Sequence, residues 1–251
     1  MCIRDGFKRG KGGAPLGFER DGRTFAVQGK IDRIDLSEEG PPLLCVYDFK
    51  SAARFTLDAI YHGLSLQLPL YLEALRLNAR QVAGREAAVC GALFHATRAG
   101  LQAADGPVEE PDAEAIPPRF KPRGLLSLTG LRRFEPKLSG GSAYFRGSIK
   151  KDGALGARRS SDILEDRELD RLLERVGAVT GELLAAMAGG RAAAVPALHR
   201  RATACSRCRF GAVCRFERFG PGERYARHAT LGVEEVLAAL GAAPAREGGR
   251  G

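Results

Sequence analysis

Gly29-Lys30-Ile31-Asp32-Arg33-Ile34-Asp35, followed by Val46-Tyr47-Asp48-Phe49-Lys50-Ser51, is the stretch that decides how this chain folds. Thr24 to Asp35 alternates well enough for a strand, with Phe25, Val27 and Ile31 as inward positions. Leu43 to Phe49 is a second β-rich run, and Glu38-Glu39-Gly40-Pro41-Pro42 between them has turn composition. The two runs are expected to pair as a hairpin. Residues i and i+2 of a strand face the same side, so Asp48 and Lys50 project together and Phe49 points the other way. Across the hairpin, Asp32 can reach the same patch.

Outward from the hairpin, Leu57 to Leu77 carries Leu64, Leu68, Tyr71, Leu72 and Leu75 at helical spacing. It is expected to be one helix, with Pro69 as a kink. Gln67 and Tyr71 are four apart and share a face of it, where polar groups could hold a phosphate or position the lysine. The bland alternative makes Tyr71 core and Gln67 rim. Ala87 to Thr97 reads as a buried strand, and Gly100 to Pro118 as a loop. Residues 119–159 hold eleven Lys or Arg against two acids, an excess equal to the net charge of the whole chain. That stretch reads either as a clamp on a polyanion or as a solvated insert. Asp162 to Ala188 is again helical, stopped by Gly189-Gly190. Val233 to Leu240 is a last short helix before a Gly/Arg tail. The expected division is an irregular start over 1–23, a core over 24–100, a basic loop-rich insert over 101–160, a helix and cysteine segment over 161–230, and a short helix with tail over 231–251.

The bulk composition bounds the partners. With 251 residues and 44% hydrophobic content the chain can build one sizeable core. A net charge of +9 favours an anionic partner such as nucleic acid. No apolar run approaches the roughly 20 residues that span a bilayer, so no membrane partner is expected. No GxxxxGK[ST] pattern occurs, and nothing argues for nucleotide hydrolysis. The opening Met1-Cys2-Ile3-Arg4-Asp5-Gly6 has no apolar stretch behind it of the kind a secretory signal needs. A cytoplasmic, reducing compartment is the default expectation, and there clustered cysteines read as metal ligands rather than disulfides.

Two constellations carry chemistry. Asp32 and Asp48 offer hard carboxylate oxygens suited to Mg²⁺ or Mn²⁺. Lys50 beside them can orient a water and offset charge on a pentacoordinate phosphate. An isolated Asp-x-Lys triplet would read as solvated strand-end charge; its place after an apolar strand, at hairpin distance from Asp32, argues otherwise. The second constellation is Cys205, Cys208 and Cys214, spaced C-x₂-C-x₅-C. Thiolates suit soft metals, and three of them need a fourth ligand to complete tetrahedral zinc or a cubane cluster. Cys45 and Cys90, on expected strands, read as buried apolar residues. His62 and His95 fall near the expected site.

These motifs resemble a known family. Gly29 to Asp35, Val46 to Ser51 and Gln67-Leu68-Pro69-Leu70-Tyr71 look like successive motifs of the PD-(D/E)xK nucleases of the RecB type. The resemblance implies a restriction-endonuclease-like fold, an α/β mixed sheet flanked by helices. It implies Asp32 and Asp48 as ligands of Mg²⁺ or Mn²⁺, with the Phe49 carbonyl completing the coordination. Lys50 becomes the catalytic lysine, and Gln67 and Tyr71 the helix motif that follows. Asp35 is the alternative to Asp32, but Gly29-x-x-Asp32 fits the register better. The cysteine segment, Pro221 to Arg227 after it, Leu138 to Gly141 and Ile149 to Gly153 resemble the carboxy-terminal region of the AddB (RexB) family. There a 4Fe-4S cluster staples the ends of the nuclease domain, through one upstream cysteine and three downstream ones. The resemblance implies a Mg²⁺-dependent exonuclease that cuts single-stranded DNA in double-strand-break repair, taking single- and double-stranded DNA and an AddA-type helicase–nuclease subunit as partners. It also implies that the fourth cluster ligand and an acidic or His residue would precede residue 1. Two other readings are a stand-alone CRISPR-associated nuclease of the same chemistry and a non-enzymatic DNA-binding module with structural zinc.

Overall fold

The computed structural model of the chain describes residues 2–3, 6–7, 13–37, 40–52, 54–98, 120–191, 193–214, 216 and 224–242. The loop expected over Gly100 to Pro118, the Gly/Arg tail and Pro221 to Gly222 lie outside the described residues. Two short strands, β1 (Cys2–Ile3) and β2 (Gly6–Phe7), come first, then a hairpin of β3 (Leu16–Arg20) and β4 (Arg23–Val27). β5 (Gly29–Lys30) pairs with β2. β6 (Arg33–Ser37) and β7 (Leu43–Lys50) form the expected hairpin, with Arg33 opposite Tyr47 and Asp35 opposite Cys45. α1 (Leu57–Tyr61), α2 (Gln67–Ala83) and β8 (Ala88–Ala96) follow. Next come β9 (Arg123–Ser127), α3 (Leu128–Phe134), β10 (Gly140–Gly141), β11 (Ser148–Ile149) and β12 (Ile163–Leu164). The long α4 (Asp166–Ala188) leads to β13 (Ala197–His199), β14 (Ala202–Thr203), α5 (Gly211–Cys214), β15 (Ala226–Arg227) and α6 (Val233–Ala242).

The central sheet has six strands in the order β1-β6-β7-β8-β9-β12 and is mixed. β6 runs antiparallel to β7, β7 parallel to β8, β8 antiparallel to β9, and β9 parallel to β12. A parallel pair needs a crossover, and α1 and α2 supply the one between β7 and β8. Even-numbered residues of β7 face the larger core: Leu44 and Val46 pack there with Ile34, Ala92, Leu125 and apolar residues of α1, α2, α4 and α6. Odd-numbered Leu43 and Cys45 face a smaller core with Leu93, Leu126, Leu131, Phe145 and Ile149. Cys45 and Cys90 are buried there, as expected. No helix among the described residues is long and apolar enough to cross a membrane.

Three expectations about local structure change. The strand expected over Thr24 to Asp35 breaks into β4, β5 and the start of β6, leaving Ile31 buried and Asp32 in the gap before β6. The helix expected over Leu57 to Leu77 is two helices, separated at His62 to Leu66. Gly63 takes a positive φ of 75° in that break, where a Cβ would stand 2.4 Å from Val179 Cγ1. Pro69 therefore falls in the first turn of α2, where its missing N–H costs nothing, and no kink is required. Finally, the basic stretch is not wholly loop. Arg123 to Phe134 supplies a sheet strand and a helix, and Leu125, Leu126 and Leu131 are fully buried.

Register in the parallel pair rests on one irregularity. Leu44 faces Val89 while Cys45 faces Gly91, so Cys90 is an extra residue, and its Sγ–H donates to the Leu44 carbonyl at 3.3 Å. Gly91 then lies so close to β9 that a Cβ would sit 2.5 Å from the Leu125 carbonyl oxygen. Gly91→Val is expected to lower stability by about 2 kcal/mol through overpacking against backbone, read as an earlier urea midpoint. An unchanged midpoint would contradict this account of the β8–β9 contact.

Candidate active site

At the C-terminal end of β7 the alternation of the strand puts Asp48 and Lys50 on the α2 side. Asp48 is only 2% exposed. Burying a carboxylate is costly unless it is paired, and two side chains answer for it. Lys50 Nζ forms an ion pair with Asp48 Oδ2. Gln67 Nε2, at the first residue of α2, donates to Asp48 Oδ1 at 3.0 Å and to the Tyr71 hydroxyl oxygen at 3.0 Å. Gln67 and Tyr71 thus share a helix face and form one chain of contacts to Asp48. Lys50 Nζ also lies 5.4 Å from the centre of the Phe94 ring, an apolar floor beneath its charge.

Asp32 joins from the other arm of the hairpin. Its Oδ2 accepts from the Phe49 backbone N–H at 3.2 Å. Asp35 is elsewhere: it forms a two-pronged pair with Arg33, at 2.7 and 2.9 Å. The structure therefore groups Asp32, Asp48, Lys50, Gln67 and Tyr71, and leaves the alternative, Asp35, in a closed ion pair. Phe49 turns its side chain to the opposite face, with its ring edge-on to His95 at 5.9 Å. His95 is on that face too, away from Asp48. His62 donates from Nε2 to the Ala229 carbonyl at 3.0 Å and stacks near His199 and His228, outside the carboxylate cluster.

The donor set fits a small hard cation. Asp48 Oδ2 is buried, and among the described residues the Lys50 ammonium is its one partner. Asp32 adds a second carboxylate held by a single backbone donor. Hard oxygens of this kind suit Mg²⁺ or Mn²⁺. The cysteine segment is different. Cys205, Cys208 and Cys214 are all exposed free thiols. Among the described residues, no three His, Cys, Asp or Glu side chains stand together as a group able to hold a metal. An iron–sulfur staple therefore rests on the spacing and the resemblance, not on an assembled ligand set.

A second buried carboxylate, which no motif in the sequence marks, anchors that segment. Asp58 on α1 is 1% exposed. Its Oδ2 accepts from His199 Nε2 at 2.9 Å, from Arg200 Nε and Nη2 at 3.1 and 2.9 Å, and from the Leu231 N–H at 3.3 Å. Burial works against ionisation, but hydrogen bonds from Thr56, His199, Arg200 and Leu231 outweigh it and hold the carboxyl down at about 2. An Asp in the first turn of a helix is ordinary, and the charged partners of this one, His199 and Arg200, lie more than 140 positions away, so no local pattern marks it.

Comparison with known proteins gives two findings. A family model described as the PD-(D/E)XK nuclease superfamily matches residues 3–215. The chain is also similar to proteins named as the B-type subunit of an ATP-dependent helicase/deoxyribonuclease. The one from Moorella thermoacetica is 34% identical over 215 residues, covering 84% of this chain and 18% of that protein. The one from Desulforudis audaxviator is 32% identical over 227 residues, covering 88% and 19%. The one from Bacillus subtilis is 30% identical over 210 residues, covering 81% and 18%. The chain thus spans about a fifth of the length of these relatives.

Asp58 carries a pH prediction. Its folded value lies below the ordinary 3.8, so its stabilisation is complete above that pH and is lost as the pH falls toward about 2. The loss amounts to about 2 kcal/mol. Asp58→Ala is expected to cost about 3 kcal/mol at neutral pH, because it strands Arg200 and His199. In urea unfolding, the gap between parent and variant should narrow below pH 4; a gap that stays constant on acidification contradicts the assignment.

Proposed function

The chain belongs to the PD-(D/E)XK nuclease superfamily, and from that premise we propose that it is the nuclease domain of a helicase–nuclease subunit. In this reading it hydrolyses phosphodiester bonds of single-stranded DNA with Mg²⁺ or Mn²⁺, as an exonuclease, during double-strand-break repair in the cytoplasm. Its partner would be a second helicase–nuclease subunit of the AddA type. The observation that carries the reading is the buried Asp48, tied at once to Lys50 and Gln67, with Asp32 fixed beside it through the Phe49 N–H. The +9 charge of the chain supports a polyanionic substrate.

The residues divide the work. Asp32 and Asp48, with the Phe49 carbonyl, would hold the cation. Bound there, a divalent cation would polarise the phosphate and make a hydroxide available near neutral pH. Gln67 keeps the Asp48 carboxylate from rotating, and Tyr71 keeps Gln67 turned toward it. Lys50 is about one-third exposed, so its ammonium can reach past Asp48 to a phosphate oxygen. Its charge offsets the negative charge that builds as water attacks phosphorus and the P–O bond to the leaving oxygen breaks. Cys205, Cys208 and Cys214 enter this reading only as the expected seat of a 4Fe-4S cluster, tested by iron and acid-labile sulfide in the purified protein.

The test is cleavage of a labelled oligonucleotide with Mg²⁺. Asp48→Ala and Lys50→Ala should each slow it by about 10²-fold or more, with the folded content unchanged by circular dichroism. Variants that digest DNA as fast as the parent would overturn the reading.

A further inference from the structure

A cavity of about 320 Å³ opens at the same end of the sheet as the carboxylate site, two strands away from it. Arg123, Arg146, Arg159 and Arg200 line it, together with Asp58 and Asp162. Two of the arginines are committed. Arg123 Nε donates to Asp162 Oδ2 at 2.6 Å, and its Nη2 donates to the Phe55 carbonyl at 3.2 Å. Arg200 is bound to Asp58 as described. Four guanidinium groups against two carboxylates leave the lining with a net excess of two positive charges. Arg159 and Arg146 form no ion pair among the described residues, although Arg146 lies near enough to Asp162 to act on its charge. Arg159 is exposed and Arg146 half-buried.

The place of this cavity follows from register. Asp48 faces Phe94 on β8, and Phe94 faces Arg123 on β9. Laterally paired residues share a face, so Arg123 stands on the catalytic side, two strands from Asp48. Neighbouring strands lie about 4.8 Å apart, which puts the two Cα atoms about 10 Å from each other. A single nucleic-acid strand advances at least about 3.4 Å per phosphate. A phosphate at the Arg123 wall of the cavity would then lie about three nucleotides from one held at Asp48.

We propose that this arginine-lined cavity is a backbone phosphate subsite of the DNA strand being cut, with Arg146 and Arg159 as its working cations. The committed pairs, Arg123–Asp162 and Arg200–Asp58, build its walls. The inference rests on the nuclease reading for the identity of the strand, while its chemistry, recognition of a phosphodiester by two guanidinium groups, stands on the cavity itself.

The experiment is binding of a fluorescein-labelled oligothymidylate, without divalent cation, across a salt series. Arg146→Gln with Arg159→Gln should weaken binding about tenfold at low salt. It should also reduce the slope of log affinity against log salt by about 0.7, the value for one phosphate on a single strand. Lysine at both positions should preserve most of the slope, which separates lost charge from lost fold. An oligonucleotide with one uncharged methylphosphonate, walked along the strand, should weaken parent binding at a single position and leave the Gln variant indifferent there. Unchanged affinity and slope in the Gln variant, or a methylphosphonate penalty that persists in it, overturns the subsite. Cleavage by the parent with Mg²⁺ reports separately: if the parent cuts and the Gln variant binds as the parent does, only the subsite is lost, and if the parent binds through Arg146 and Arg159 but never cuts, only the nuclease reading is lost.

Discussion

The end of the sheet is organised by the burial of one carboxylate. Asp48 is almost fully covered, and a buried charge is tolerated only where opposite charge and hydrogen-bond donors meet it. The strand period delivers Lys50 to the same face, two residues on. The amide must come from another element, and it comes from the first residue of α2. That requirement fixes where α2 begins, and so where the chain must break after α1. It also explains why Pro69 and Gly63 sit where they do: one inside the first turn of a helix, the other in a turn that favours positive φ. Asp32 is then held from the hairpin partner, through the backbone of the residue between Asp48 and Lys50.

The same end of the molecule holds two more buried acids, each tied to arginine from a distant part of the chain. Asp162 pairs with Arg123, and Asp58 with Arg200 and His199. Burial pushes the Asp162 carboxyl up, against the pull of Arg123 and Arg146. The polar investment lies where β7 and β8, running parallel, both terminate. Open α/β sheets bind ligands at such carboxyl ends of parallel strands. Away from it the two faces of the sheet are apolar. The Asp58 contacts also hold the β13 turn and the start of α6 against α1, and so tie the chain on either side of the three cysteines to the body.

Much of this is legible in the residues. Alternation around Asp48 gives the face of Lys50 and the opposite face of Phe49, and the i, i+4 spacing puts Gln67 and Tyr71 together. What stays hidden is hidden for physical reasons. Arg123 to Ser127 is a five-residue strand inside a stretch dominated by Lys, Arg and Gly, so its Gly-Leu-Leu core is outvoted by its surroundings. The apolar spacing that suggests a single long helix continues across the break after α1, since periodicity does not register a short turn. The run through Gln28 and Ile31 to Asp32 resembles one continuous strand because alternation survives a change of pairing partner from β3 to β2 to β7. The Asp58 node depends on contacts between residues far apart in the chain, which no local pattern announces.

The central claim is that Asp32 and Asp48 form one cation site, with Gln67 holding the second of them. Mn²⁺ binding followed by electron paramagnetic resonance tests it without reference to cleavage. The account predicts that the parent takes up Mn²⁺, that Asp32→Asn and Asp48→Asn each abolish the uptake, and that Gln67→Ala weakens it while leaving the fold intact. Equal Mn²⁺ uptake by the parent and both Asn variants would contradict it.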